Sequence, residues 1–372
     1  MNMRLQGRSF HGRVGLQQRV LPAYRAPFFD LLASCCHGGM SLFAGSPRSD
    51  EGVLTTERLH RAQLVGAHNI HMLRGPFYLC YQSGLPDWLQ SWDPDVLILE
   101  ANPRYLVNWR AVSWMQQRGR PVVGWGLGAP HVGGVSSKLR HFFRRTFLRR
   151  FDALIAYSTL GAHHYRQFGI PGDLVFVAPN AVSSIPPPLP ERTATIQQPA
   201  GLLFVGRLQA RKRVDLLLRA CAALDTKPAL TIVGDGPARR ELEALATEIF
   251  PQACFVGAQQ EAALGAFFRQ ADLFVLPGTG GLAVQQAMAH GLPVVVAEGD
   301  GTQNDLATAD NGWLVSPGDL EALTETIREA LSDPVRLRAM GRMSHRLVTE
   351  RFNIEVMVDV FVEALNTVSR GR

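Results

Sequence analysis

Four cations stand within seven residues in the segment Gly206-Arg207-Leu208-Gln209-Ala210-Arg211-Lys212-Arg213. It follows an apolar run ending at Val205 and precedes a stretch of helical period beginning near Val214. A glycine at the turn, an arginine fork and a lysine point charge before a helix N-terminus are the groups a diphosphate requires. A solvated basic turn would read the same way in isolation. A second apolar run, ending at Leu276, opens into Pro277-Gly278-Thr279-Gly280-Gly281-Leu282, and Ala283 to His290 again has helical period. Three glycines at a helix start offer backbone amides that can cradle phosphate oxygens, although a purely structural turn would use the same residues. A third run, Leu230 to Val233, enters Gly234-Asp235-Gly236-Pro237, a tight turn that brings backbone close to whatever lies above the strand.

These loops need a scaffold that presents them together, and the pattern of the chain supplies one. In the second half, residues 201–205, 229–233, 253–256, 273–276 and 293–297 are aliphatic runs bounded by Gly, Pro or Asp, with helical stretches between them. Five strands are expected there, in a doubly wound parallel sheet. In the first half the strand candidates include 14–19, 95–100, 121–125, 153–157 and 174–178. The stretch Ser183-Ser184-Ile185-Pro186-Pro187-Pro188-Leu189-Pro190 and the polar residues up to Pro199 suit neither helix nor central strand, because proline fixes φ and lacks an amide donor. The expected organisation is a Rossmann-like domain over 1–182, a Pro-rich linker over 183–199 and a second Rossmann-like domain over 200–372, whose last helix could pack back on the first. Two such α/β domains would face a central cleft, with ligands beyond the carboxyl ends of the strands.

The 372 residues, 46% apolar and 19% charged, are those of a globular enzyme with enough chain for two cores. The formal charge of +6 favours anionic partners without choosing among them. The five cysteines, Cys35, Cys36, Cys80, Cys221 and Cys254, have no metal-ligand spacing and read as reduced core thiols. No metal is expected. The start of the chain lacks a signal-peptide pattern, and Gly or Pro interrupts each long apolar stretch, so a cytoplasmic protein is expected.

The ordered series Phe204-Val205-Gly206-Arg207-Leu208 with Lys212, Val233-Gly234-Asp235-Gly236-Pro237, Phe255-Val256-Gly257, Ala271 to Pro277, Ala287 to Val295 and Asn311 to Val315 resembles the nucleotide-sugar-binding domain of retaining glycosyltransferase family 4. The resemblance covers about residues 200–365 and implies the GT-B fold. It implies transfer of a hexose-type sugar from a nucleotide-diphosphate sugar, with retention of configuration and no cofactor. By the same resemblance Arg207 and Lys212 neutralise the diphosphate, while Gly206, Gly234, Asp235 and the amides of Gly280, Gly281 and Leu282 line the donor site. The segment around Val256 holds the base. Family members carry an E-x7-E pair whose second glutamate contacts ribose hydroxyls; here Gln286 takes that place, and counting back puts the first at Gly278. Either a subfamily uses a Gly-Gly phosphate loop or the domain has become a binding module without catalysis.

The first half resembles the family by segments only. Leu21 to Ala33 is similar to an opening strand-to-helix junction but lacks the usual Gly-Gly, and Arg25 would present a cation there, or serve at the surface or as a cap. Glu100, Asn102 and Arg104 follow the run 95–100 and could grip acceptor hydroxyls or simply start a helix. Many relatives place a histidine at the end of the strand that here is 121–125; Leu127 is near that place, and His131 is the candidate substitute, or an exposed loop histidine. The acceptor could be a saccharide, a lipid-linked sugar or a small molecule.

Residues 137–151 interleave Lys138, Arg140, Arg144, Arg145, Arg149 and Arg150 with Leu139, Phe142, Phe143, Phe147 and Phe151. They form either a core-packed helix with a wet basic face or a peripheral contact with anionic membrane at the inner face. An oxidoreductase is disfavoured because no G-x-G-x-x-G with a downstream acid follows an early strand. Nucleic acid is not an expected partner, since no recognition motif accompanies the cations.

Overall fold

The computed structural model describes residues 9–128, 137–190, 195, 196 and 198–370. The chain divides into two compact units, one of residues 1–182 with 354–372 and one of residues 183–353.

In the first unit the strands are β1 (Val14–Val20), β2 (Met40–Gly45), β3 (Gln63–Met72), β4 (Leu79–Ser83), β5 (Val96–Glu100), β6 (Val122–Gly126), β7 (Ala153–Ala156) and β8 (Val175–Val177). They form one sheet in the order β4-β3-β2-β1-β5-β6-β7-β8. All neighbours are parallel except β3 and β4, which are antiparallel. The helices are α1 (Ala26–Ser34), α2 (Leu85–Trp92), α3 (Leu106–Gln116), α4 (Ser137–Leu148) and α5 (Thr159–Gln167). The central strands are buried on both faces, which is why they read as unbroken apolar runs. β3 is different: it alternates exposed and half-buried residues and carries His68, Asn69 and His71, so it does not stand out as a strand by hydrophobicity.

In the second unit the strands are β9 (Gly201–Val205), β10 (Ala229–Val233), β11 (Cys254–Gly257), β12 (Leu273–Leu276), β13 (Val294–Ala297) and β14 (Gly312–Val315). The sheet order is β11-β10-β9-β12-β13-β14, all parallel. There are six strands where the run pattern gives five. The sixth, Gly312-Trp313-Leu314-Val315, is an edge strand with Leu314 exposed, too short and too mixed to show as an apolar run. Its helices are α6 (Val214–Ala223), α7 (Arg239–Ile249), α8 (Glu261–Gln270), α9 (Leu282–Ala289), α10 (Thr302–Leu306), α11 (Leu320–Ser332) and α12 (Pro334–Glu350). The last helix, α13 (Ile354–Arg370), leaves this unit. Its face of Met357, Val358, Phe361 and Leu365 is buried in the first unit's core, where Phe361 packs its ring against Phe28 and Trp125. Each fully buried side chain of that size contributes roughly 1.5–3 kcal/mol.

Both sheets turn back on themselves at one point. In the first unit the order reverses between β1 and β5, and in the second between β9 and β12. Loops leaving such neighbouring strands run apart and open a crevice at the carboxyl ends, where open α/β sheets bind ligands. The loops concerned are those after Val20 and Glu100, and those after Val205 and Leu276.

Candidate functional site

At the second unit's reversal, the loop after β9 and the loop after β12 are in contact. Gly234 lies against Gly206 so closely that a Cβ at Gly234 would overlap the Gly206 carbonyl, and its φ of +139° also excludes a side chain. Leu208 donates its amide to the Asp235 carbonyl at 2.9 Å, and Thr279 donates to the Arg211 carbonyl at 3.1 Å. The turn Ala210–Lys212 thereby docks on residues 278–279. There Lys212 extends over the glycine loop, its ammonium occupying the place where a Cβ of Gly280 would stand. Gly280 has φ +125°, which keeps that space clear of side chain.

The four cations of the motif do not act alike. Arg213, at the N-cap position of its helix in a left-handed conformation, pairs with Asp215 at 3.1 Å. Arg211 reaches Gln209 Oε1 at 3.0 Å and Thr279 Oγ1 at 3.3 Å. Arg207 is half-buried just beyond β9. Burial pulls the Lys212 ammonium down to about 8, with Arg211 adding repulsion and Asp300 opposing the shift. A lysine in this state gains most from an arriving anion, which restores the partner that water supplies elsewhere.

The helix that follows starts directly from this loop. Gly281 is the N-cap of α9 and makes no side-chain cap bond to the amides of the first turn, which starts at Leu282. Gln303, fully buried, approaches the same loop. With its amide in the orientation that satisfies both ends, its oxygen accepts from Gly280 N at 3.0 Å and its nitrogen donates to Asp300 Oδ1 at 3.2 Å. Asp300 also accepts from Thr302 N at 3.0 Å. Asp300, in the loop after β13, and Gln303, in α10, carry no motif, so sequence reasoning missed them. Asp235 spends its carboxylate on Gly236 N at 2.6 Å and on Arg239 at 3.3 Å. The Val256 carbonyl accepts from Gln259 Nε2 at 3.3 Å. Gln286 lies half-buried on α9, its carbonyl accepting from His290 N at 3.2 Å.

In the first unit Arg25 and Glu100 come together at the other reversal. Arg25 is only 7% exposed, and its guanidinium lies over the rings of Trp125, Tyr157 and Tyr24 at 4.6, 5.4 and 5.6 Å. It is neither a surface arginine nor a side-chain cap. Glu100 Oε2 accepts from the Arg19 amide at 2.5 Å, and burial raises its carboxyl above the ordinary range against the opposing charges of Arg19 and Arg25. Arg19 in turn pairs with Glu51 at 2.8 Å.

The remaining first-unit candidates are placed otherwise. Asn102 Oδ1 accepts from Arg104 N at 3.1 Å in a local turn before α3. Arg104 sits near Arg144 of α4, whose pKa is lowered by burial and by that neighbour. His131 lies outside the described residues. Among the described residues no group of His, Cys, Asp and Glu could hold a metal ion. Four cysteines are buried, but Cys254 is exposed at the start of β11, because an edge strand has no neighbour to cover it.

Residues 189–346 match the model of glycosyl transferases group 1, and residues 20–181 match a glycosyl transferase 4-like domain. A GDP-mannose-dependent alpha-mannosyltransferase of Mycolicibacterium smegmatis is 28% identical over 332 residues, 82% of this chain and 84% of that protein. The glycogen synthase of Mycobacterium tuberculosis is 27% identical over 297 residues, 76% and 71%. The structure of Anabaena HepE in complex with UDP superposes with a TM-score of 0.72 at 18% identity, covering 95% of this chain and 99% of that one. Sucrose-phosphate synthase from Thermosynechococcus elongatus gives 0.72 at 19%, covering 97% and 100%.

The chain belongs to the glycosyltransferase family 4-like GT-B proteins. In this glycosyltransferase position 278 has no room for a side chain. A Cβ at Gly278 would overlap the Arg211 carbonyl and the Lys212 backbone, so a glutamate cannot occupy 278 while the Lys212 turn is docked on the loop. The docked turn holds Lys212 over Gly280.

Proposed function

We propose that this glycosyltransferase transfers a hexose from a nucleoside-diphosphate sugar, bound at the second unit's strand ends, to an acceptor held by the first unit, with retention of configuration. The observation that carries the reading is the placement of the Lys212 ammonium over Gly280, beside the uncapped first turn of α9. Two adjacent sources of positive potential suit a diphosphate, and Arg207 on the neighbouring loop adds a fork. The mannosyltransferase relatives are named for GDP-mannose and the HepE structure holds UDP, which supports the donor class.

In this reading the bond between the anomeric carbon and the diphosphate oxygen breaks as the acceptor oxygen bonds to the same face. The acceptor's proton passes to the departing diphosphate. The protein's contribution is stabilisation of the leaving group's charge and positioning of the two substrates. Gly206, Gly234 and Asp235 shape the donor loops, Val256 lies beside the base, and Gln286 bonds the ribose diol as a neutral amide. The second reading, a binding module without turnover, draws on the missing glutamates. Incubating the full chain with UDP-, GDP-, dTDP-, ADP- and CDP-hexoses separates the two: hydrolysis or transfer from any of them supports catalysis, and nucleotide binding without release of sugar supports the module.

The acceptor is proposed to be lipid-linked, on the evidence of α4. Phe147 and Phe151 are core, packed with Trp109, and Arg150 is tied to Ser113 and Gln116 of α3 at 2.9 and 2.8 Å. Phe142 and Phe143 are instead 62% and 52% exposed, among the exposed Lys138, Arg145 and Arg149. Two bare aromatics ringed by cations suit an anionic bilayer surface. Among the described residues no helix is long and apolar enough to cross a membrane.

A further inference from the structure

We infer that Arg25 is the seat for an anionic group of the acceptor, a phosphate or a carboxylate, so that the first unit selects charged over neutral acceptors. The inference rests on the reading that this unit holds the acceptor.

An arginine remains charged under all working conditions, and burying it without a counter-charge is costly. Arg25 is buried, yet among the described residues no carboxylate lies within ion-pair distance of it. Its hydrogen bonds go to two phenols, Tyr24 at 3.2 Å from Nε and Tyr157 at 3.4 Å from Nη2. Among the described residues Nη1 has no partner, and neither does the Nε1 of Trp125, the ring on which the guanidinium rests. Both atoms are donors only, so what they lack is an acceptor oxygen.

The surroundings add positive potential. Arg25 is the N-cap residue of the nine-residue helix α1, which has no side-chain cap. The nearby carboxyl that could neutralise it, Glu100, gives Oε2 to the Arg19 amide and is pushed by burial towards its neutral form. Aromatic faces ease the burial of a cation but accept no N–H bond of the strength an oxyanion does. Arg25 follows β1, next to the point where the sheet order reverses, so the position is one that open α/β sheets use for ligands. The same reversal in the second unit carries Lys212. Each unit thus places a cation at its switch point, buried in the first and half-buried in the second, and only the second is foreshadowed by a phosphate-type motif.

The test is calorimetric titration of the full chain with glucose 6-phosphate, glucuronate, glucose and inorganic phosphate, for wild type, Arg25→Met and Arg25→Lys, with melting temperatures of each. Wild type is expected to bind one of the two charged sugars at least tenfold more tightly than glucose. Arg25→Met should lose that preference and, without ligand, melt no lower than wild type, since methionine fills the aromatic cage without a charge. Arg25→Lys should keep a reduced preference. The phosphate and carboxylate arms identify the group, and binding of inorganic phosphate alone at the same affinity would mean that the sugar contributes nothing, overturning the acceptor assignment. The inference is also overturned if wild type shows no preference for either anion, or if Arg25→Met retains it. It fails as well if Arg25→Met melts well below wild type and Arg25→Lys has no preference, which would assign Arg25 to core packing. Titrating UDP and GDP into the same samples keeps this outcome apart from failure of the donor reading, because intact nucleotide binding isolates the fault in the first unit.

Discussion

The two switch points differ in what builds them. In the second unit the proposed binding surface is backbone: glycine turns pressed together, a 3₁₀ turn docked on a loop, and a helix start with no side-chain cap, with Lys212 laid across them. In the first unit it is side chain: a buried arginine in an aromatic cage and a carboxyl braced by a distant amide. A backbone site demands glycine at fixed positions and so leaves a motif. A side-chain site can be assembled from residues far apart in sequence, as with Arg25, Trp125 and Tyr157, and leaves none.

The comparison predicts that the second unit tolerates changes of side chain better than additions of Cβ. The largest effect is expected from Gly278→Glu, which restores a glutamate of the family pattern but places a Cβ in the Lys212 backbone. Undocking the turn should cost at least about a hundredfold in turnover, roughly 2.7 kcal/mol or more. A steady-state assay with the best donor checks it, and near-normal activity would show that the turn is not docked as described.

A smaller loss follows from pH. Lys212 holds its proton up to about 8, and an anion at Gly280 stabilises the charged form. Nucleoside diphosphate affinity should therefore be level below pH 8 and fall by up to about tenfold per pH unit above it, as binding takes up a proton. The stability sign is opposite. The lysine's folded pKa is depressed below its unfolded value, so the unfolded chain binds the extra proton between about 8 and the ordinary lysine range. The ligand-free protein should gain stability from this group as pH rises through that window. Titrations at pH 7, 8 and 9, with melting curves in the same buffers, read both.

On α4, Phe142→Ser with Phe143→Ser should reduce sedimentation with anionic liposomes several-fold while leaving the melting temperature unchanged, because neither ring is in the core. Added salt should weaken wild-type binding as the Debye length shrinks. Equal binding to neutral liposomes would count against the basic face. The smallest effect is expected from Gln286→Glu. It alters a half-buried helix position without adding a Cβ, so activity should stay within a few-fold and nucleotide affinity should hold or rise. A large loss of affinity would show that α9 does not present this side to the ribose.

Much of the fold was legible because the central strands of both sheets are buried on two faces and read as apolar runs. The strands β2, β3 and β4 were not: β3 and β4 are partly exposed, and β2, although buried, is short and broken by Ser41. Its pairing with β4 depends on a buried amide network in which Gln82 donates to Gln18 O at 3.1 Å and to Asn69 at 2.8 Å. Buried polar residues satisfied by one another look like surface in a sequence. The same limit hid Asp300 and Gln303, whose importance lies in which loop they brace. It also split the residues of α4, where helical period alone grouped Phe142 with Phe147 although only the second reaches the core.

The central claim is that Lys212 and Arg207 bind a diphosphate against the Gly280 loop. Calorimetric titration of UDP and GDP into wild type, Arg207→Ala and Lys212→Ala tests it most directly. A charge-assisted contact of this kind is worth roughly 1.5–3 kcal/mol, so each variant should bind the preferred nucleotide about ten- to a hundredfold more weakly with its melting temperature preserved. Wild-type affinity in both variants would contradict the account.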